Sequence, residues 1–151
     1  MSPSLHQVLN MLLVFIVWCF YCVWEGTREA YYYHVASLTT VNVNGKYNLH
    51  FLYTIQRVLV ITLCLLACGA KFPAMMEVFS LVYLFPYFHD GAYYCKRNDL
   101  NPIIYKKRWR DDSSTSTAKY EIKYKARLFM FVFGIVLLSG TIILTYFNIF
   151  R

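Results

Sequence analysis

Apolar residues in this chain are gathered into four long stretches, and the polar residues lie mainly between them. The stretches cover residues 8–25, 51–70, 72–88 and 128–148. No charged residue occurs between Leu128 and Phe147, and this run is long enough to cross the hydrocarbon core of a bilayer, which takes about 20 helical residues. The pattern predicts an all-α polytopic membrane protein with four transmembrane helices, in which residues 1–151 form a single integral membrane domain.

The two middle stretches are less uniformly apolar than the outer two. Arg57 lies near the start of residues 51–70, and Glu77 lies within residues 72–88. Only Lys71 separates the two stretches. We therefore expect two membrane crossings joined by a tight turn, with a re-entrant hairpin as the alternative. Both arrangements return the chain to the same side of the membrane.

Lysine and arginine residues are divided unequally between the two sides of such a bundle. The loops of residues 26–50 and 89–127 contain twelve of them, whereas the opposite side has only Lys71 and Arg151. Because basic loops are retained in the cytoplasm, we predict cytoplasmic loops and N- and C-termini outside. No basic residue precedes the first apolar stretch, which indicates a retained span and not a cleaved signal peptide.

The composition agrees with a membrane protein. Hydrophobic residues make up 58% of the chain and charged residues 15%, compared with about 45–50% apolar residues in soluble domains. A net charge of +7 is also found in nucleic-acid-binding proteins. Here the orientation of the loops accounts for the basic residues, so a nucleic-acid partner is not expected.

Ionisable residues collect where three of the predicted spans would end on the cytoplasmic side. Charge is costly in lipid, so such residues indicate a functional site by default. If the first span continues as helix to Tyr33, two of the acidic residues lie four apart on one helix face. We expect the whole group to converge at one membrane boundary. The group consists of Glu25, Glu29, His50, Arg57, His89 and Asp90.

Structural ion pairing is the first interpretation of this group. Arg57 lies inside a predicted span and needs an acidic partner, and Glu25 or Glu29 lies at a suitable depth. A channel or transporter subunit that uses Arg57 and Glu77 is an alternative, because both residues are ionisable groups in neighbouring spans.

A metal-dependent enzyme is the sharper alternative. Imidazole nitrogens and carboxylate oxygens suit zinc, iron or manganese, so a divalent cation is the expected cofactor. The expected ligands are Glu29, His50, His89 and Asp90. Such a metal would polarise an ester or phosphoryl group of a lipid or another membrane-associated substrate. The catalytic roles would then fall to Glu25, Arg57 and Asp90.

A non-catalytic membrane adaptor is the third alternative, and it depends on the basic loop between the third and fourth spans. We expect residues 111–117 to be flexible or to cap the fourth helix, which would begin near Lys119. The expected partners are the lipid bilayer and its anionic headgroups. Self-association is open, because Gly134 and Gly140 permit close helix packing. The residues predicted to bind headgroups are Lys106, Lys107, Arg108, Arg110, Lys119, Lys123 and Arg127.

Overall fold

The computed structural model of the protein describes residues 3–38, 55, 57–62, 71–113 and 122–147. Its helices are α1 (Pro3–Leu38), α2 (described over residues 57–62), α3 (Phe72–Leu100) and α4 (Tyr124–Tyr146). Within these ranges β-pairing is limited to one isolated antiparallel bridge, between Ser113 and Ile122. The prediction of an all-helical protein is therefore confirmed for the described residues.

Two of the helices can cross a membrane by length and composition. They are Leu5–Ala36 within α1 and Tyr124–Tyr146, and only 17% and 22% of their apolar windows are buried inside the protein. Apolar side chains such as Phe20 and Val136, which are 73% and 62% exposed, therefore face outward. A helix in the core of a soluble protein would instead be mostly buried.

Within the described residues these two helices are the ones that meet this test, so the predicted four are not shown there. α3 is a continuous helix, but Glu77 and Pro86 interrupt its apolar sequence, and its C-terminal half carries polar residues. It is therefore less apolar than α1 and α4. Most of residues 51–70 lies outside the described part of the chain, so the tight turn and the re-entrant hairpin both stay untested predictions.

α1 and α3 pack against each other in the same direction. The indole nitrogen of Trp18 donates a hydrogen bond to the Leu81 carbonyl oxygen at 2.9 Å. Further along α1, Gly26 faces the His89 carbonyl oxygen. Both contacts join residues at the same sequence separation, so the two helices run parallel and in register. Their C-terminal ends consequently lie at the same end of the molecule.

α4 runs antiparallel to α3. The ring of Tyr83 packs edge-on against Phe133, with centroids 4.9 Å apart, whereas Tyr87, further along α3, stacks on the earlier residue Phe131 at 4.4 Å. Gly134 allows this approach, because a Cβ atom there would lie 2.9 Å from the Ser80 carbonyl oxygen. The start of α4 is thus close to the C-terminal half of α3.

The helix ends differ from those expected at two places. α3 continues to Leu100, so the first part of the predicted loop 89–127 is helical. α4 begins at Tyr124 and not near Lys119. Lys123, which precedes it, has an extended backbone with ψ of 145° and is the N-cap residue. By contrast, the extension of α1 past the first span is confirmed, since α1 ends at Leu38.

The chain after α3 folds back along that helix. The Trp109 side chain covers Gly91, where a Cβ atom would lie 2.3 Å from the indole ring. Asp112 then accepts a hydrogen bond from the Tyr124 backbone N–H at 2.7 Å. The polar segment thus supplies an acceptor for the first N–H of α4, whereas the N-cap residue itself, Lys123, makes no side-chain capping bond.

The close approach of α1 to α3 gives a first testable prediction. A Cβ atom on Gly26 would lie 2.3 Å from the His89 carbonyl oxygen, so Gly26→Ala forces the two backbones apart. We expect a loss of about 2 kcal/mol of unfolding free energy, measured by denaturation in detergent micelles. Gly140→Ala is the matched control, because nothing lies within 4 Å of its added Cβ. Equal stability of the two variants would contradict the close packing.

Candidate functional site

Three helices bring a group of charged side chains together beside the α1–α3 contact. Glu25 and Glu29 on α1 are 2% and 3% exposed. Nε of Arg57, on α2, donates a hydrogen bond to Glu25 Oε1 at 3.1 Å. Its Nη2 atom lies 3.0 Å from that oxygen and 3.6 Å from Glu29 Oε1. Arg57 therefore compensates both buried carboxylates.

His89 on α3 bridges two further carboxylates. Its Nε2 lies 3.2 Å from Glu29 Oε2, and its Nδ1 lies 3.0 Å from Asp90 Oδ1. A ring with an acceptor at each nitrogen is suited to carry both protons, which makes it an imidazolium. Nη2 of Arg57 also approaches Nε2 to 3.4 Å, and the two carboxylates offset this like-charge contact.

Asp90 connects the group to the chain after α3. Its Oδ2 accepts a hydrogen bond from the Ser113 hydroxyl at 2.5 Å. Arg127, in the first turn of α4, supplies a positive charge near Asp90. We call Glu25, Glu29, Arg57, His89, Asp90 and Arg127 the charge cluster. In their ionised forms its three carboxylates balance its three cations.

The pKa shifts at His89 and Asp90 favour these ionised forms. Burial alone lowers the pKa of His89, but the hydrogen bonds and negative charges of Asp90 and Glu29 outweigh burial and hold it above its usual value. Burial alone raises the pKa of Asp90. Hydrogen bonds from His89 and Ser113, together with the charges of His89 and Arg127, outweigh burial and hold it below its usual value.

The residues present do not fit the predicted metal site. The described part of the chain contains no group of three or more His, Cys, Asp or Glu residues placed to hold an ion. Both nitrogens of His89 already face carboxylates, and Glu29 also lies beside the Arg57 guanidinium. His50 lies outside the described residues. The structure thus brings Glu29, His89 and Asp90 together as ion-pair partners and not as ligands around a shared point.

The predicted catalytic residues are also brought together, but in a packed environment. Glu25 is paired with Arg57 and 2% exposed, so it is closed to a substrate approaching from solvent. The Asp90 side chain is 21% exposed and is engaged by His89 and Ser113. Within the described residues Arg57 forms ion pairs with Glu25 and Glu29, as the first interpretation predicted.

The predicted headgroup-binding residues divide into exposed and buried groups. Lys107 is half-buried and donates a hydrogen bond to the Asp112 carbonyl oxygen at 2.8 Å. Lys119 lies outside the described residues. Arg127 requires a correction: it is fully buried, and its Nη2 donates to the carbonyl oxygens of Trp109 and Asp111, both at 2.7 Å. The exposed members are Lys106, Arg108, Arg110 and Lys123.

Sequence reasoning missed the residues that hold the returning chain in place. Trp109 lies among basic residues, and nothing in its flanking sequence predicts the contact with Gly91. Ser113 is one of several Ser and Thr residues in its segment, so its bond to Asp90 has no separate sequence signal. Gly26 and Gly91 each directly follow an acidic residue of the charge cluster, and that spacing was the one available signal.

Comparison of the chain with protein families, curated proteins and solved structures finds no match.

Proposed function

We propose that the protein is a small integral membrane adaptor that crosses the bilayer four times and presents a basic face to anionic lipid headgroups in the cytoplasm. In this proposal the N- and C-termini lie outside. The charge cluster fixes the relative positions of the helices, and the basic face is the binding surface. The observation that carries the proposal is the attachment of the segment Arg108-Trp109-Arg110 beside Gly91 on α3.

The depth of this segment supports a contact with headgroups. If the hydrocarbon ends near residue 88, Gly91 lies about 5 Å further along the helix. The headgroup layer occupies about 5–8 Å on each side of the hydrocarbon core. Trp109 rests against Gly91, so in this topology the neighbouring exposed side chains of Arg108 and Arg110 would lie at the level of the lipid phosphates. Tryptophan is itself enriched at this level.

The helix directions support the four-span topology. α1 and α3 run parallel, and α4 runs antiparallel to them, as expected for an up-down-up-down bundle whose second span is residues 51–70. The position of Arg57 beside Glu25 agrees with a second span that begins on the cytoplasmic side. Lys71 would then lie at the opposite end, with the termini.

The closed state of the charge cluster favours an adaptor over an enzyme or a transporter. Each of its carboxylates lies beside a cationic side chain, and Glu25 and Glu29 are buried away from solvent. Breaking such pairs to admit a substrate or an ion would leave uncompensated buried charge. Stoichiometric metal in the purified protein, lost on His89→Ala, would instead favour the metal-dependent enzyme.

The proposal predicts a lipid-dependent stability. We expect the thermal midpoint in nanodiscs to rise when anionic lipid is included, because each basic residue near the surface contributes about 1 kcal/mol. The double variant Arg108→Gln/Arg110→Gln should lose most of this rise. Lys71→Gln, a charge removed from the opposite end, should keep it. A double variant that responds to anionic lipid as the wild type does would reject the proposal.

A further inference from the structure

A small cavity lies between the C-terminal part of α3 and the chain that follows it. Its volume is about 210 Å³. No carboxylate is among its lining residues, and three of the six are cationic. The lining residues are Tyr94, Arg97, Ile104, Tyr105, Lys106 and Lys107.

The Arg97 guanidinium is held in a fixed orientation at this cavity. Its Nη1 donates a hydrogen bond to the Tyr93 hydroxyl at 2.9 Å, and its central carbon lies 3.8 Å from the centre of the Tyr105 ring. Stacking on one face and a bond at one nitrogen leave the plane of the guanidinium little freedom. Its Nε is buried and has no hydrogen-bond partner. A buried donor in that state is costly unless an acceptor reaches it.

The other side of the cavity is also ordered. Nδ2 of Asn98 donates to the Tyr105 carbonyl oxygen at 2.6 Å, which ties the residues after α3 to the helix. Lys107 Nζ lies 5.5 Å from the centre of the Tyr94 ring and donates to the Asp112 carbonyl oxygen. Lys106 is exposed beside it. The positive charges are therefore gathered before any ligand arrives, which lowers the cost of binding an anion.

We propose that this cavity binds a phosphate group. Arginine in a fixed plane suits a tetrahedral oxyanion, because it offers several N–H donors at once, and lysine adds charge at the mouth of the site. The phosphate oxygens would accept from the Nη atoms of Arg97, whose side chain lines the cavity. The cavity volume accommodates a phosphate with a small organic substituent.

The site is distinct from the headgroup contacts proposed for Arg108 and Arg110. Arg97 lies about 14 Å beyond residue 88 along α3, above the headgroup layer of the proposed topology. The ligand is then a phosphate on a small soluble molecule, or a phosphate carried outward on a lipid headgroup. The contacts of Arg97 do not depend on the membrane orientation, so the inference stands or falls separately from the adaptor proposal.

Two probes test the site. Glycerol phosphate is titrated into the purified protein in isothermal calorimetry, and lipid binding is compared for the protein in nanodiscs with and without phosphatidylinositol phosphate. We expect saturable binding of at least one probe, weakened about tenfold or more by Arg97→Gln. Arg97→Lys should be weakened similarly, because an ammonium group lacks the planar set of N–H donors that the guanidinium presents. Arg108→Gln is the matched control, since this arginine does not line the cavity, and it should bind as the wild type does.

The two probes separate the sources of phosphate. Binding of glycerol phosphate identifies a soluble ligand, and binding confined to phosphatidylinositol phosphate nanodiscs identifies a headgroup. Lys106→Gln provides a second test should Arg97→Gln fail to fold, because this exposed side chain carries charge at the mouth of the cavity. We expect weaker binding with a reduced salt dependence. Binding of neither probe, or unchanged binding in both the Arg97→Gln and Lys106→Gln variants, would overturn the assignment.

Discussion

Arg57→Leu is expected to lower the unfolding free energy by about 3–5 kcal/mol, because it leaves buried Glu25 without its counter-charge and Glu29 with His89 alone. Glu25 and Glu29 are 2% and 3% exposed, so water cannot replace the guanidinium. Arg57 makes its shortest contacts, 3.0 and 3.1 Å, with Glu25 Oε1. The measurement is reversible unfolding in mixed micelles, followed by circular dichroism.

A double variant separates charge compensation from packing in this experiment. Arg57→Leu/Glu25→Gln removes both members of the Glu25–Arg57 ion pair, so no charge is left unpaired at position 25. It should recover about 2 kcal/mol of the lost unfolding free energy. Lys125→Leu removes an exposed cation from α4, outside the charge cluster, and should change stability by less than about 0.5 kcal/mol. If Arg57→Leu costs no more than Lys125→Leu, the Arg57 ion pairs contribute nothing to the stability of the fold.

Arg127→Met is expected to destabilise the protein by about 3 kcal/mol and to release the chain after α3. The Arg127 side chain is fully buried and donates to the carbonyl oxygens of Trp109 and Asp111. Methionine fills similar space but leaves both acceptors and the Asp90 charge without this partner. We expect faster hydrogen exchange of the backbone amides that follow α3, together with a lower thermal midpoint.

Lys125→Met is the matched control for Arg127→Met. Lys125 is exposed on the same helix, so its replacement changes net charge equally without touching the returning chain. Exchange rates in Lys125→Met should equal those of the wild type. Similar exchange in both variants would show that Arg127 does not hold the Trp109 segment.

The convergence of the ionisable residues could be predicted from the sequence because a bilayer limits how consecutive helices can be arranged. Span ends that alternate between the two faces of the membrane place residues 25 and 89 at the same end, and the register of α1 and α3 brings Glu29 to His89. The i, i+4 spacing of Glu25 and Glu29 was enough to assign them one helix face. Arg57 was recognisable as a partner by its depth alone.

The chemistry of the cluster was harder to predict than its location. A histidine flanked by carboxylates has the composition of a metal site, and only the distances show that both His89 nitrogens face carboxylates. The arginine at position 127 resembles the other basic residues before the fourth span. Its burial results from the fold-back of residues 101–113, which depends on tertiary contacts such as Trp109 against Gly91. Similarly, Asp90-Gly91 resembles a helix end, yet close packing preserves the helix to Leu100.

Arg127 also has a mechanical consequence. It belongs to the first turn of α4, yet its hydrogen bonds go to the backbone on either side of Arg110. A rotation or axial shift of α4 would therefore drag Arg108 and Arg110 with it, and a force applied to those guanidinium groups at the lipid surface would act back on the final transmembrane helix.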